Sequence, residues 1–544
     1  TEGMLRWPLL TASALILASS SIASAQPYRL GWREFTPTDR VADNIASAQV
    51  DGVGNFSVAG VSPGAGNQPD VLIRKLDPMG KELWRTTFDA GQGTQTDFVR
   101  NLLVTPQGNA VLTLDYPFKG YGKFVAAQVN GQTGKLEWSR FYDTGNGRAQ
   151  AWASAIDASG NLIQAGGFGS NARAEIAVVQ WTPAGEPKWI QRWVNQPQGD
   201  REALALAIGR SGDITLAGYA TVTGAGRDSF VARYSSAGAL IWAQTFPGAP
   251  GFGNDRVTAI TVDANGDAVV AGDEYIEGST TTLYIAKLAS SSGQIVWKTP
   301  IREVRNSQGE AVGIHRVADG YLVGGSLSEL TPQGRDFAVL KIGLDGKVLW
   351  KTLIHSGGNN ADQATAMTVD SQGFAYLAGS AELNRKEKKY FVAAVNPTGQ
   401  VAWTHLEAEG NAFGEPSQLT LHEGTGHLMI AGNRPQGVLT DPHLLCLYLA
   451  PRAVARSFTV VQGETLQVET NQGLRSQSLF AQFASVVVSK VSGEGELSLQ
   501  TDGSFSFKAP ANFEGQSEFR YVLSREGLTS STGSLRFTVT KKPG

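Results

Sequence analysis

The sequence is poor in cysteine: one residue, Cys446, among 544. A single thiol cannot close an intrachain disulfide, so packing and strand pairing must hold the fold. Cys446 lies in the run Leu444-Leu445-Cys446-Leu447, which reads as a strand with an inert, core-forming thiol. An excess of one charge is missing too. The formal net charge is −3 and no basic stripe stands out, which excludes the electrostatic footprint of a nucleic-acid binder. Nor does such a chain gain attraction to anionic lipid. Beyond residue 25 there is no sustained 3.6-residue apolar periodicity and no long apolar run, so neither a helical body nor a transmembrane segment is expected in the mature chain. The chain also lacks a His-Glu-x-x-His pair, a Gly-x-Ser-x-Gly elbow and a phosphate loop. Its six histidines, at 315, 355, 405, 422, 427 and 443, show no metal-ligand spacing, although His422 and His427 flank one turn.

What the chain has in abundance is glycine, 64 residues, spread among Val, Ala, Leu and Trp. That composition points to many short strands joined by tight turns. The N-terminal segment reads as an address. Met4-Leu5-Arg6 is a short cationic start, Leu9 to Ala18 is apolar, and Ala23-Ser24-Ala25 forms a small-x-small cleavage site before Gln26. Residues 1–25 are therefore expected to be a signal peptide, with Thr1-Glu2-Gly3 upstream of its start. The mature protein is expected to be secreted, extracellular or periplasmic, with association at the cell surface as a further expectation.

Tryptophans at 32, 84, 138, 189, 242, 297, 350 and 403 stand 52, 54, 51, 53, 55, 53 and 53 residues apart. Val58-Ala59-Gly60, Gln164-Ala165-Gly166, Leu216-Ala217-Gly218, Val270-Ala271-Gly272 and Leu377-Ala378-Gly379 keep the same period, while Leu112-Thr113-Leu114 departs from it. One unit shows four short strands. Val257 to Asp263 alternates, Ala268 to Gly272 is apolar throughout, Thr282 to Leu288 follows, and Ile295 to Lys298 carries Trp297. Four antiparallel strands in about 53 residues make a propeller blade. A sheet with two apolar faces is stable only between neighbours, and the tryptophans are expected to fill the wedges. The first marker set starts at the fourth strand, Leu30 to Phe35, and the last set ends at the third, His443 to Leu449. The N-terminal strand should therefore complete the last blade and close the ring.

These motifs resemble the bacterial SBBP-type beta-propeller repeat, best at Ile260-Thr261-Val262-Asp263 with Gly266-Asp267 and at Thr368-Val369-Asp370 with Gly373. The resemblance implies the fold over roughly 420 residues and no common activity. The fourth strands Thr133 to Trp138 and Gly346 to Trp350 are also similar to the repeats of pyrroloquinoline quinone enzymes, but the adjacent cysteine pair common in those enzymes is impossible with one cysteine.

After Ala450-Pro451-Arg452-Ala453 the repeat stops, and short alternating strands such as Phe458 to Val461, Glu496 to Leu499 and Leu535 to Val539 predict a β-sandwich. Leu497 to Phe507, with Pro510, Phe513, Gly515, Phe519, Tyr521 and Val522, resembles bacterial cadherin-like or Ig-like modules, which act as spacers or adhesive units. Ser524-Arg525 stands where many such modules carry an aspartate for calcium. The expected organisation is an all-β chain: a signal peptide at 1–25, an eight-bladed β-propeller at 26–450, a linker at 451–455 and a small β-sandwich at 456–544.

An acid recurs before the first strand of many repeats: Asp43, Asp97, Asp200, Asp255 and Asp362, with Glu310 and Glu415 nearby and Gln150 as the exception. Around a channel these five aspartates could hold a cation, calcium being the candidate, or each could cap its own turn. A third-strand position held by Lys75, Gln128, Gln180, Arg233, Lys287 and Lys341 is expected to lean out of the sheet edge. The functional expectation is a secreted, monomeric, non-catalytic binding or scaffold protein that contacts extracellular protein or polysaccharide through its rim. The alternative is an enzyme at the channel mouth, metal-dependent or quinoprotein-like.

Overall fold

The computed structural model describes residues 26–542 apart from short loops at 36–43, 64–68, 91–97, 119–120, 144–146, 171–172, 197, 225, 248–252, 277–279, 302–307, 329–333, 358–360, 385–386, 408–413 and 437–438. The expected signal peptide lies outside the described residues. Two compact units emerge, one spanning Tyr28–Leu449 and the other holding Ala450–Gly544.

The first unit is an eight-bladed propeller. Each blade is an antiparallel sheet whose strands a to d run outward from the centre. Blade 1, for example, is Asn44–Val50, Phe56–Pro63, Pro69–Leu76 and Glu82–Phe88. The innermost strands pack in a ring, from Asn44–Val50 through to Glu415–His422 of blade 8, which returns to Asn44–Val50. The N-terminal strand Tyr28–Phe35 is strand d of blade 8 and pairs antiparallel with strand c, Leu439–Leu449. The chain thus closes its ring by joining its first strand to its last repeat.

Neighbouring blades bury both faces of their middle strands. Val269, Ala271 and Ile285 of blade 5 pack with Ala311, Tyr321, Val323 and Leu340 of blade 6 in one core, all nearly inaccessible. Every blade has a bulge early in strand a, as between Val257 and Ala259. That bulge explains the Val-Ala-Gly marker. At Gly272 a Cβ would collide with the Arg256 carbonyl oxygen, and at Gly60 with that of Asn44, so the close approach excludes a side chain.

The periodic tryptophans act between blades, at the outer strand. The indole N–H donates to a carbonyl in the next blade's c–d turn, as from Trp32 to Pro78, Trp84 to Gly131, Trp242 to Ser290 and Trp297 to Leu344, at 2.8 to 3.2 Å. The ring lies on a glycine of that same turn. A Cβ on Gly346 would sit 2.6 Å from the Trp297 indole, and one on Gly399 would sit 2.7 Å from Trp350. The ring closes by the same device, because Trp32 rests on Gly80 of blade 1. A second tie lies nearer the axis. Asp115, Ser326 and Asn433 on strand b accept the backbone N–H of Ala151, Ala364 and Ile45 in the next blade at 2.7 to 2.8 Å.

The third-strand polar residues do not lean out of the sheet. Lys75, Gln180, Arg233, Lys287 and Lys341 are buried, and each turns to the a–b turn of its own blade. Lys75 pairs with Asp51 at 2.9 Å, Lys287 with Asp263 at 2.7 Å, Arg233 with Asp213 at 2.9 Å and Lys341 with Asp319 at 2.6 Å. Gln180 donates to Asp157. Asp51, Asp157 and Asp263 also accept turn N–H groups, as Asp263 does from Asn265 and Asp267. The charged side chain therefore completes the partner set of a turn carboxylate.

The second unit is a two-sheet sandwich. Arg456–Val461, Gly533–Thr540, Gly515–Arg525 and Ser485–Ser492 form one sheet, and Thr465–Val468, Phe505–Lys508 and Glu496–Leu499 the other. Between them Phe507 and Phe537 stack at 3.9 Å. Tyr521 donates its hydroxyl to the Val454 carbonyl and accepts the Val454 N–H at 2.9 Å. Arg525 is buried, and its guanidinium donates to the Phe480 carbonyl, so this position serves the core. Among the described residues no helix is long and apolar enough to cross a membrane.

Candidate functional site at the channel mouth

Strand a of every blade begins at one mouth of the central channel, and near its bulge side chains two residues apart face the same way. In blades 3 to 5 these side chains line a recess of about 440 Å³. Arg148, Gln150 and Trp152 come from blade 3, Glu202, Leu204, Tyr219 and Arg227 from blade 4, and Arg256 from blade 5. The three guanidiniums are 42% to 50% exposed, while the acids that hold them are nearly covered. Arg148 pairs with Glu202 across the blade junction, and Arg227 pairs with Asp200. Arg256 donates to Asp273 at 2.9 Å and reaches Glu310 of blade 6 at 3.3 Å. Arg227 also lies 4.4 Å from the Tyr219 ring centroid, and Arg100 lies 4.1 Å from the Trp152 ring. The mouth is thus a charge-balanced set of fixed guanidinium–carboxylate pairs around an indole and a phenol.

Burial dominates the electrostatics here. It raises the Glu202 carboxyl, with Asp200 adding to the rise and Arg148 opposing it. The Tyr219 hydroxyl is also raised, by burial first and by Glu202 and Asp200 next. Gln150 Oε1 is buried without a hydrogen-bond partner beside this recess.

The sequence-predicted aspartates fall into three groups. Asp43 and Asp97 lie outside the described residues. Asp255 is buried and accepts the Tyr275 N–H of its own blade at 2.5 Å. Asp200 bonds the Tyr219 hydroxyl at 3.2 Å besides Arg227. Asp200 is also out of register with the rest. Asp255 and Asp362 stand two residues before Val257 and Ala364, which precede the bulge, whereas Arg201 takes that place before Ala203 in blade 4. Arg201 is fully buried and donates to the carbonyls of Ala174, Gly199, Gln196 and Gln198. Even spacing in sequence concealed this one-residue shift.

Asp362 is different. It is fully buried, and Ser356 donates to it through both its N–H, at 2.8 Å, and its hydroxyl, at 2.7 Å. His355 Nδ1 stands 3.9 Å from Asp362 Oδ2 and 2.8 Å from Asp336 Oδ1. Among the described residues these three form the one group of ligating side chains with three donors inside 4.8 Å. Asp200 and Asp255 do not join it. Asp336 and His355 were invisible to the spacing argument because one opens strand c and the other follows strand d of blade 6, away from the strand-a position that the acids mark. His422 and His427 oppose each other in one hairpin, but His422 bonds Thr425 at 2.8 Å and His427 stacks on Tyr448.

Comparison with known proteins bears chiefly on the second unit, where residues 449–538 match the bacterial Ig domain family. No curated protein matches the chain. Similar solved structures include the WD40 domain of SCAP from fission yeast, 10% identical with a TM-score of 0.41 over 78% of this chain and 98% of that one. They also include a Lactobacillus plantarum protein, 16% identical with a TM-score of 0.39 over 64% of this chain and 95% of that one. The polysaccharide lyase Uly1 is 10% identical with a TM-score of 0.39 over 79% of this chain and 94% of its own. Identities this low say nothing about a ligand.

Proposed function

We propose that this is an extracytoplasmic, non-catalytic binding protein of the SBBP-type propeller class, that its channel mouth in blades 3 to 5 receives a glycan, and that its Ig-type module serves as spacer or attachment. The observation that carries this reading is the recess lined by Trp152, Tyr219 and three half-exposed arginines with fixed counter-ions. A sugar presents an apolar C–H face and vicinal hydroxyls. The half-buried Trp152 indole matches the first and the half-exposed guanidinium groups match the second, while buried Tyr219 supports Arg227. A few convergent polar groups in a concave recess are what a small-ligand site needs. A polyanion would find the arginines already neutralised, which favours a hydroxyl-rich ligand over a charged one. The Ala23-Ser24-Ala25 segment fits export of such a chain.

The test is retention of the purified chain on insoluble cellulose, chitin and peptidoglycan and on a soluble oligosaccharide array. At least one glycan should be held, and Trp152→Ala should weaken that binding about tenfold or more. Binding to none of them, or equal binding by the variant, would overturn the reading. One observation favours a second reading. Burial raises the Glu202 carboxyl, which is the direction in which a general acid is tuned. Release of reducing ends from a retained glycan, abolished in Glu202→Gln, would identify a hydrolase.

A further inference from the structure

We infer that Asp336, His355 and Asp362 form a binding site for a divalent first-row transition ion, best represented by zinc, at the corner where blade 6 passes to blade 7. The three donors come from separate segments. Asp336 opens strand c of blade 6, Asp336–Gly343, and His355 follows strand d, Val348–Ile354. Asp362 opens strand a of blade 7, Asp362–Val369. An ion held by all three would clamp the end of one blade to the start of the next.

The geometry fits a small ion. A tetrahedral ion with bonds of about 2.1 Å holds its ligand atoms about 3.4 Å apart. The Nδ1 to Oδ1 and Nδ1 to Oδ2 distances, 2.8 and 3.9 Å, bracket that value. The donor set also discriminates. One imidazole nitrogen with two carboxylate oxygens suits zinc and its neighbours, whereas calcium takes six to eight oxygens and magnesium keeps a largely aqueous octahedron. The supporting shell is in place, because Ser356 fixes both oxygens of Asp362, its N–H on Oδ2 and its hydroxyl on Oδ1, with Oδ2 held 3.9 Å from the imidazole nitrogen. Access is in place as well, since His355 is 38% exposed while Asp362 is sealed below it. Burial, with the nearby Asp336 charge, raises Asp362, and a cation between the two carboxylates would relieve both effects.

The occupant that competes with a metal is a proton, since an imidazolium at His355 could bridge the two aspartates unaided. Titration calorimetry of the purified, EDTA-stripped chain with zinc chloride at pH 7.5 separates them, with thermal unfolding recorded in parallel. The inference expects a site of one zinc per chain that raises the melting temperature. His355→Gln and Asp336→Asn should each weaken that site tenfold or more and remove the thermal shift, while each metal-free variant keeps the circular dichroism spectrum of the parent. Trp152→Ala should leave zinc binding untouched, which keeps this result separate from the glycan reading. No zinc binding, binding undiminished in both variants, or a response to calcium in place of zinc would each overturn the inference.

Discussion

The pair of Lys287 and Asp263 shows how single residues decide stability in this molecule. Both side chains are nearly covered, and Lys287 also reaches Asp267 at 3.1 Å. Burial acts to raise the Asp263 carboxyl, yet the hydrogen bond from Lys287 and the N–H groups of Asp267 and Asn265 outweigh it and hold the carboxyl below its ordinary range. Removing the ammonium leaves a covered charge held only by turn N–H groups and the Tyr321 hydroxyl, and breaking a buried pair in this way costs about 3 kcal/mol. Lys287→Met should therefore lower the urea unfolding free energy by about that amount at pH 7. The pH dependence follows from the sign of the shift. A carboxyl depressed by folding adds stability above its unfolded pKa of about 4, and that contribution is lost as pH falls through the lower folded value. The gap between parent and variant should hence narrow on acidification below about pH 4. An unchanged gap at pH 3 would mean that Lys287 acts through packing of its stem instead. The sequence exposed this position as a periodic polar residue but gave no sign of its direction. A lysine that pairs inward and one that leans outward have the same pattern, and only the turn acid facing it separates them.

At the scale of elements, the c–d turn is where one blade grips the next. Gly346 has φ +85° and would place a Cβ 2.6 Å from the Trp297 indole, while Gly108, with φ +83°, faces nothing within 4 Å. Both glycines adopt the left-handed region, so alanine at either site costs about 1 kcal/mol in backbone strain. Gly346→Ala must in addition displace the indole and the Trp297 N–H bond to Leu344, adding about 1 to 3 kcal/mol. Chemical denaturation of the two variants should separate them by that difference, and equal losses would remove the tryptophan–glycine contact from the list of what joins blades. The same comparison shows why the blades were legible in the sequence and the mouth was not. The contact of Trp297 with Gly346 recurs at seven of the eight blade junctions, from Trp32 on Gly80 to Trp350 on Gly399, so the constraint is written seven times. At the position whose carbonyl meets the strand-b glycine, blades 3, 4 and 5 carry Gln150, Glu202 and Arg256, three different residue types. A site built by departing from a repeat leaves no period to detect.

The whole ring depends on a strand supplied from the other end of the propeller chain. Tyr28–Phe35 pairs with Leu439–Leu449 along its length, and its Trp32 spans to Pro78 and Gly80 of blade 1. Tyr28 meanwhile sits 4.4 Å from the Trp403 ring of blade 7 and donates its hydroxyl to the Thr404 carbonyl at 3.0 Å. One strand therefore contacts the blades on both sides of the junction, and without it blade 8 would expose a long strand edge. Closure across such a seam stabilises most when the separation it spans in sequence is long, because the loop entropy of the open chain is then largest. Removing residues 26–40 should lower the melting temperature sharply and promote association through the bare edge of Leu439–Leu449, seen as higher-order species in light scattering. Trp32→Ala, which keeps the strand but deletes its grip on blade 1, should lower the melting temperature less and leave the chain monodisperse. Adding a synthetic peptide of residues 26–40 to the truncated chain should restore part of the lost melting temperature, since a ligand that binds only the closed form stabilises it by mass action. If the truncated chain melted with the parent, the seam would contribute nothing, and the packing of Asn44–Val50 against Glu415–His422 at the axis would have to hold the ring by itself.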